Sequence, residues 1–464
     1  MTILSLVDTS SNHGTSSATR SESWQRTYQE LLTEPRAGKQ LARDFLETCL
    51  QDAAALPCDL PDSPSELHAW TFRGIQTVTK QYAAYLASRR AGGGRQYFTH
   101  RAHALCFLRS VAPTKLVDGA WLYGTLPHWR DVRLQPLVRT YLEELGDGVP
   151  GQNHALMYRR LLAAEGCDEL SNLDDSLYLQ GAIQLALGHM ADDYLPEVIG
   201  YNLGYEQLPL HLLISAFELE ELDIDPYYFL LHVTIDNSAT GHAAKAVRAV
   251  LDNLPRVGDA QDFYRRVALG YRLNDLGESS HTIISGFDLE QELFSMFEHK
   301  RAIAGQVHSD YCRIEGRTVN QWLSADEGIG GFLDALQSRG WIKRHQDPVN
   351  SRFWSLVQGE GAEMFGVFNA YEQQLIHDWI AGDWLRAPAA AQPGTRPFQK
   401  NRQRSGVLPA PQSELHSEQQ LLQEQLQRLD PAQQEARLIE LLAPVYHPTS
   451  AGLTATRIFS ALTY

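Results

Sequence analysis

Apolar residues recur at i, i+3 and i+4 from Ser23 to about Ala91, the spacing of one helix face at ~100° per residue. β-Branched residues are few there and Ala, Leu, Gln and Arg many, so helix is predicted throughout. Ala91-Gly-Gly-Gly-Arg95 breaks it. The same periodicity predicts helices over Phe98 to Leu108, Pro136 to Leu145, His154 to about Ala164, and Leu177 to His189. Pro196 to about Phe217 is also helical in pattern, with Pro209 kinking or dividing it. Asp225 followed by Pro226 has the form of an N-cap and first helical residue, which predicts a helix running from there towards Leu251. Helical patterns return over Asp262 to about Leu276 and Leu289 to Ile303. Ala325 to Asp383 keeps an ordered character, with Gly340 as a helix stop and Phe365 to Trp379 amphipathic. Strand-like alternation is scarce. The chain reads as all-α.

The ends differ from the middle. Residues 1–22 lack a long apolar run and read as a disordered N-terminus. Residues 23–95 form an N-terminal helical region. Between Arg386 and Ser413 the composition shifts to Pro, Ala, Gly, Gln and Arg, so 386–415 is expected to be a flexible linker. A last helical piece, about Ser417 to Leu442, lies in a C-terminal helical tail, 416–464. At 464 residues there is room for two or three domains, or one large domain with extensions.

Charge and composition then remove whole classes of function. A formal net charge of −16 argues against nucleic acid and anionic membrane as partners, since both demand a basic surface. No run approaches the ~18 apolar residues of a transmembrane helix. The five cysteines (Cys49, Cys58, Cys106, Cys167 and Cys312) are scattered without a CxxC pair, and no secretory signal opens the chain. A reducing, cytoplasmic location is expected.

The candidate chemistry starts in the helix after Asp225. His232 and Asp236 lie four apart, on a face otherwise apolar (Phe229, Ile235). Buried there, imidazole and carboxylate need partners, and a metal ion satisfies both. His242 falls ~80° to one side and joins them if the helix loosens near Gly241. Taken alone, the pair reads better as a surface His–Asp contact. Other stretches add to it. Asp118 interrupts the apolar run Leu116 to Leu122. Glu144 occupies the last turn of its helix, unfavourable against the dipole unless a cation compensates. His154 follows after nine residues, across a Gly/Pro turn. Glu197 and Glu206, nine apart and ~180° around a helix, compete for the next place. The helix dipole alone explains Glu197 behind Pro196, so Glu206 is favoured and Glu197 is kept as the alternative. Three His with four carboxylates is the ligand balance of a dinuclear iron or manganese site in a helical bundle. Structural zinc would want cysteines, and calcium a loop of oxygens.

These residues resemble the haem-oxygenase-like diiron oxidases and oxygenases, a family of iron-containing redox enzymes. The resemblance covers roughly Phe98 to Asn253. It rests on Glu144 and His154 with nine residues between them, the Glu206-Gln-Leu-Pro209 segment and the His232-x3-Asp236 helix. It implies a haem-oxygenase-like bundle over 96–254; the N-terminal region, 23–95, and a C-terminal helical region, 255–385, are expected to pack on it. The implied ligands are Asp118, Glu144, His154, Glu206, His232 and Asp236. Position 239, where family members commonly carry a final histidine, is Ala239, and His242 is the nearest substitute. The resemblance further implies two Fe2+ ions, O2 as co-substrate and a small amino-acid-derived substrate. The expected outcomes are N-oxygenation, desaturation or oxidative C–C cleavage, in natural-product biosynthesis. An electron donor and a second copy of the chain, as a homodimer, are the other partners considered. Two rivals stand beside this reading. One is a metal-free binding or scaffold module in which Asp118, Glu206 and His232 form a buried hydrogen-bond network. The other is a bundle that stacks an organic cofactor. Tyr205, Tyr227, Tyr228, Trp121 and Phe229 read as core at helical spacing rather than as pocket lining. Glu327-Gly328-Ile-Gly330-Gly331 lacks the ending of a phosphate loop and reads as a turn. His281, His299, His308 and His345 have no ligand-spaced partners, and Arg402 and Arg404 are solvated charge. Cys106 reads as packing.

Overall fold

Helices make up nearly all regular structure in the computed structural model, which describes residues 23–33, 38–235, 241–304, 313–325, 328–359, 361–364, 366–386 and 412–463. The predicted N-terminal helical stretch resolves into α1 (Trp24–Thr33), α2 (Lys39–Ala54) and α3 (Leu67–Arg90), which ends at the glycine-rich break. There follow α4 (Arg101–Ser110), the short α5 (Ala112–Lys115), a 3-10 helix at Ala120–His128, α6 (Gln135–Glu144) and α7 (His154–Glu165). Next come α8 (Leu179–His189), α9 (Leu195–Tyr205), α10 (Leu210–Glu221), α11 (Tyr227–Ile235), α12 (His242–Asn253) and α13 (Ala260–Arg272). α14 (Ser280–Ser285), α15 (Leu289–Ala304), α16 (Val319–Leu323), α17 (Gly328–Ser338), α18 (Arg352–Val357) and α19 (Ala370–Ala381) form the next block. The described chain closes with α20 (Gln412–Gln427), α21 (Pro431–Leu441) and α22 (Ser450–Thr463). A two-residue antiparallel pair, Arg313–Ile314 with Arg317–Thr318, is the strand structure among the described residues.

Local chemistry sets the boundaries. Pro209 is extended (φ −87°, ψ 150°) and opens α10, so it divides the predicted 196–217 helix rather than kinking it. Asn153 caps α7 by accepting the Leu156 amide at 3.0 Å. Asp225 accepts the Tyr227 amide at 3.0 Å, as its N-cap reading requires. The single helix expected from Asp225 to Leu251 is instead two, because Gly241 is extended (φ −78°, ψ −166°) and starts α12 afresh. Asp430-Pro431 splits the expected 417–442 helix in the same way, with Asp430 and Gln433 forming a capping box. Gly328 begins a helix rather than a turn. Residues 1–22, Asp236, Cys312, His308, Glu327, Phe365 and 387–411, with Arg402 and Arg404, lie outside the described residues. Among the described residues no helix is long and apolar enough to cross a membrane.

Two apolar clusters organise the chain. The first takes buried residues from α1, α2, α6, α8, α9, α12, α13 and the C-terminal helices, Phe459 included. The second takes them from α4, α7, α10, α11 and the 284–380 segment. The stretch expected as a tail thus contributes to a core. Glycines let α9 and α13 approach closely: a side-chain carbon at Gly200 would strike the Val267 carbonyl, and one at Gly270 the Glu197 backbone. Gly200→Ala is therefore expected to cost ~1–3 kcal/mol through overpacking. At ~2–4 °C per kcal/mol for a domain of this size, the melting midpoint should fall by roughly 3–10 °C in a circular-dichroism melt.

A buried histidine gives the second core a pH dependence. His103 is 6% exposed, donates from Nε2 to the Ile284 carbonyl at 2.8 Å and stacks on Phe287. Burial, only partly offset by that carbonyl, lowers its pKa from the ordinary 6.5 to about 4. Below pH 6.5 the unfolded chain binds a proton that the folded ring refuses. The stability this neutral ring contributes is thus complete above pH 6.5 and lost as pH falls towards 4. His103→Gln, which keeps a donor for Ile284, should flatten the fall in urea midpoint between pH 7 and pH 5.

Candidate metal centre

Six of the sequence-predicted residues converge at the seam between the two clusters. Asp118 lies in the turn after α5, not on a helix. Glu144 ends α6, His154 begins α7, Glu206 follows the last residue of α9, His232 sits on α11 and His242 opens α12. Turns and helix ends thus supply most of the donors, where the backbone can bend to bring them together. All six are at most 6% exposed. Asp236, expected beside His232, lies outside the described residues. Glu197 does not join them. It is held by Arg266 through two bonds of 2.6 and 2.7 Å.

The donors divide into two groups that share one residue. Ligand atoms of Asp118, Glu144, His154 and His232 lie within 4.8 Å of one another, as do those of Glu144, Glu206 and His242. Glu144 belongs to both. In the first group the His154 Nδ1 lies against Glu144 Oε2 and 3.8 Å from Asp118 Oδ2, and His232 Nε2 is 3.5 Å from the same Asp118 oxygen. In the second, His242 Nδ1 is 3.3 Å from Glu144 Oε1 and 3.1 Å from Glu206 Oε2.

Neighbouring groups fix which ring nitrogens face inward. His232 Nδ1 donates to the Tyr228 carbonyl at 2.8 Å, so a neutral ring presents the Nε2 lone pair to Asp118. His242 Nε2 donates to Glu143 Oε2 at 2.8 Å, which leaves Nδ1 facing Glu144 and Glu206. Glu143 is itself held by Lys245 and, at 3.1 Å, by Arg139. Burial pushes the Glu143 carboxyl up, but His242 and Lys245 outweigh it and hold it at about 2. Asp118 accepts hydroxyl protons from Tyr205 and Tyr228, each at 2.7 Å, and Lys115 donates to Tyr205 at 2.8 Å. Burial raises the Asp118 carboxyl, yet Lys115 and the His154 and His232 rings bring it well below the usual carboxylate range. The Glu144 carboxyl is likewise depressed: burial pushes it up and the His154 cation pulls it further down. His154 goes the other way, burial lowering it and Glu144 and Asp118 raising it more.

Such a cluster could hold a metal cation. The buried Glu144 Oε2, His154 Nδ1 and His232 Nε2 meet one another and Asp118 as close ion-pair contacts, without a well-formed hydrogen bond. Buried polar atoms left in that state are costly, and a metal ion satisfies imidazole nitrogen and carboxylate oxygen together. The set therefore fits a metal of the iron or manganese type. Residues 105–275 match the family model of the iron-containing redox enzymes. No curated protein matches the chain, and no solved structure does. The matched segment contains all six clustered donors, and it gives the fold its class: all-α and haem-oxygenase-like. Iron-dependent redox chemistry is what this family model describes, and a buried Asp/Glu/His cluster lies inside the segment.

Several contributors were not singled out from sequence. Tyr205 and Tyr228 read as core; Tyr228 is buried and Tyr205 half-buried, but both hydroxyls end on Asp118. Their spacing carries no hint of that contact. Glu143, Lys115 and Lys245 look like surface charge on amphipathic helices. Asn153 did carry a signal, as the N-cap immediately before His154.

Proposed function

We propose that the chain is an O2-activating non-haem diiron oxidase or oxygenase. The observation that carries this is the sharing of Glu144 between two donor groups, an arrangement suited to one carboxylate bridging two ions. Asp118, Glu144, His154 and His232 would hold one iron. Glu144, Glu206 and His242 would hold the other, and Asp236, outside the described residues, stays a ligand proposed from sequence. Bound ferrous iron supplies the electrons and the binding position for O2 reduction. The chain's own residues do the rest. Tyr205 and Tyr228 orient Asp118, Glu143 orients His242, and the Tyr228 carbonyl orients His232. The aromatic wall of Trp121, Tyr205, Tyr228 and Phe229 keeps bulk water away. His154 must release a proton when metal enters, because a ligating ring is neutral. The substrate we propose is a small amino-acid-derived molecule, N-oxygenated, desaturated or cleaved in a natural-product pathway.

An anaerobic Fe(II) titration of metal-free protein, followed by O2 in a stopped-flow spectrometer, tests this reading. Two iron per chain and a transient visible absorption band are expected, with the band's decay hastened by candidate amines or amino acids. One iron per chain would mean that Glu206 and His242 do not complete a second position. No iron would transfer the cluster to the rival reading, a metal-free module held by the Asp118 hydroxyl contacts.

A further inference from the structure

We propose that His447, far along the chain from every ligand, is a positioning residue that fixes the turn joining Glu144 to His154. The inference rests on the metal-centre reading for its consequence, though the contacts stand by themselves. Nine residues separate the two ligands, and the segment between them is glycine-rich, with Asp147 itself at φ 48°. Left free, such a turn would let two side chains that must meet at one point drift apart. The side chain of Asn153, fully buried, ties it together. Its Oδ1 accepts the Leu156 amide at 3.0 Å, which settles the amide orientation. Its Nδ2 then donates to the Leu145 carbonyl at 3.3 Å and to His447 Nδ1 at 2.9 Å. One amide thereby links the residue after Glu144, the first turn of the His154 helix, and the loop between α21 and α22.

His447 is 1% exposed, and its neighbours press on the same turn. Tyr141, one turn before Glu144, donates to the Leu442 carbonyl at 2.6 Å. Ser460 donates to Asp147 Oδ1 at 2.7 Å. A side chain at Gly148 would strike the Leu453 carbonyl and Arg457. Four contacts from 442–460 thus bear on 141–153, and His447 is the one that reaches the residue adjoining a ligand. Removing its ring frees Asn153 to give up Leu145, and with it the angle between Glu144 and His154.

The test uses full-length protein. His447→Ala is expected to weaken Fe(II) binding in an anaerobic titration by ~10–100-fold, the range for partners that orient metal ligands. His447→Asn, whose Oδ1 replaces Nδ1 as acceptor, should bind within about 3-fold of wild type on the same scale. Asn153→Asp keeps the α7 cap and loses the donor, so it should behave as His447→Ala even if that variant folds poorly. Glu218→Gln, remote from this turn, should lower the melting midpoint without weakening iron. In metal-free protein, hydrogen exchange over 145–156 should speed up in His447→Ala and not in His447→Asn. Equal iron affinity in His447→Ala and wild type would overturn the proposal, as would a His447→Asn as weak as the alanine variant. Should wild type take no iron, the diiron reading falls alone, and exchange decides the positioning role: unchanged exchange overturns it.

Discussion

On the diiron reading, Glu144→Gln is expected to take iron from two per chain to less than one, measured by metal analysis after anaerobic loading and desalting. Every other donor in the cluster belongs to one group, whereas Glu144 belongs to both. Glutamine keeps the shape and removes the charge, so one oxygen remains to serve two ions and cannot bridge them as a carboxylate does. Affinity should drop by more than the ~10–100-fold typical of an orienting partner, because the charge of a ligand itself is removed. His242→Ala should spare the first position and leave about one iron, a loss confined to its own group. Glu197→Gln should leave both, since its carboxylate is spent on Arg266. The metal-free fold should survive Glu144→Gln: without its partner carboxylate, His154 loses much of what keeps it protonated and becomes a neutral buried ring. Two irons retained in that variant would refute the shared-carboxylate arrangement outright.

The largest stability loss is expected at Glu218, which touches no ligand. Its fully buried carboxylate accepts the Tyr85 hydroxyl at 2.8 Å and the amides of Tyr97 and Phe98 at 2.9 and 2.8 Å, with the Gln96 amide as a fourth donor. These bonds fasten the turn after α3 to α10. In Glu218→Ala four donors lose their acceptor together, at ~1–3 kcal/mol for each that stays buried. Some will find water, so a total of roughly 3–6 kcal/mol is expected. At ~2–4 °C per kcal/mol the melting midpoint should drop by about 10–20 °C. Glu218→Gln keeps an accepting oxygen and should lose a fraction of that. A midpoint for Glu218→Ala within 2 °C of wild type, a margin set by the ~2–4 °C per kcal/mol scale, would show that the carboxylate is dispensable.

Much of the bundle could be read from helical periodicity and from Gly and Pro, because those signals are local. The choice of Glu206 over Glu197 followed from a local rule as well: a helix dipole accounts for an acidic first turn, and nothing near Glu206 asks for a charge. The folded chain sets Glu206 Oε2 3.1 Å from His242 Nδ1. What the sequence concealed were contacts made across long separations. Tyr205 and Tyr228 are apolar-face residues by spacing, and only the folded chain brings their hydroxyls to Asp118. The α11–α12 division was half visible, since Gly241 suggested loosening where the structure starts a new helix. The apolar positions of α22 looked like an ordinary tail helix. Their burial, Phe459 included, depends on α20, α21 and the 146–148 turn, a surface that no local pattern announces.

The C-terminal cover also sets an order of events while the chain is being made. His242, the last clustered donor, leaves the ribosome well before His447 and Phe459. At ~5–20 residues per second the interval is roughly 10–40 s. Throughout that time the hairpin bearing Glu144 and His154 stands without the residues that brace it. Iron captured before α22 is made would therefore meet a looser set of donors than iron offered once α22 is in place. On the diiron reading, maturation of the centre would wait until α22 has been made and has closed over the turn.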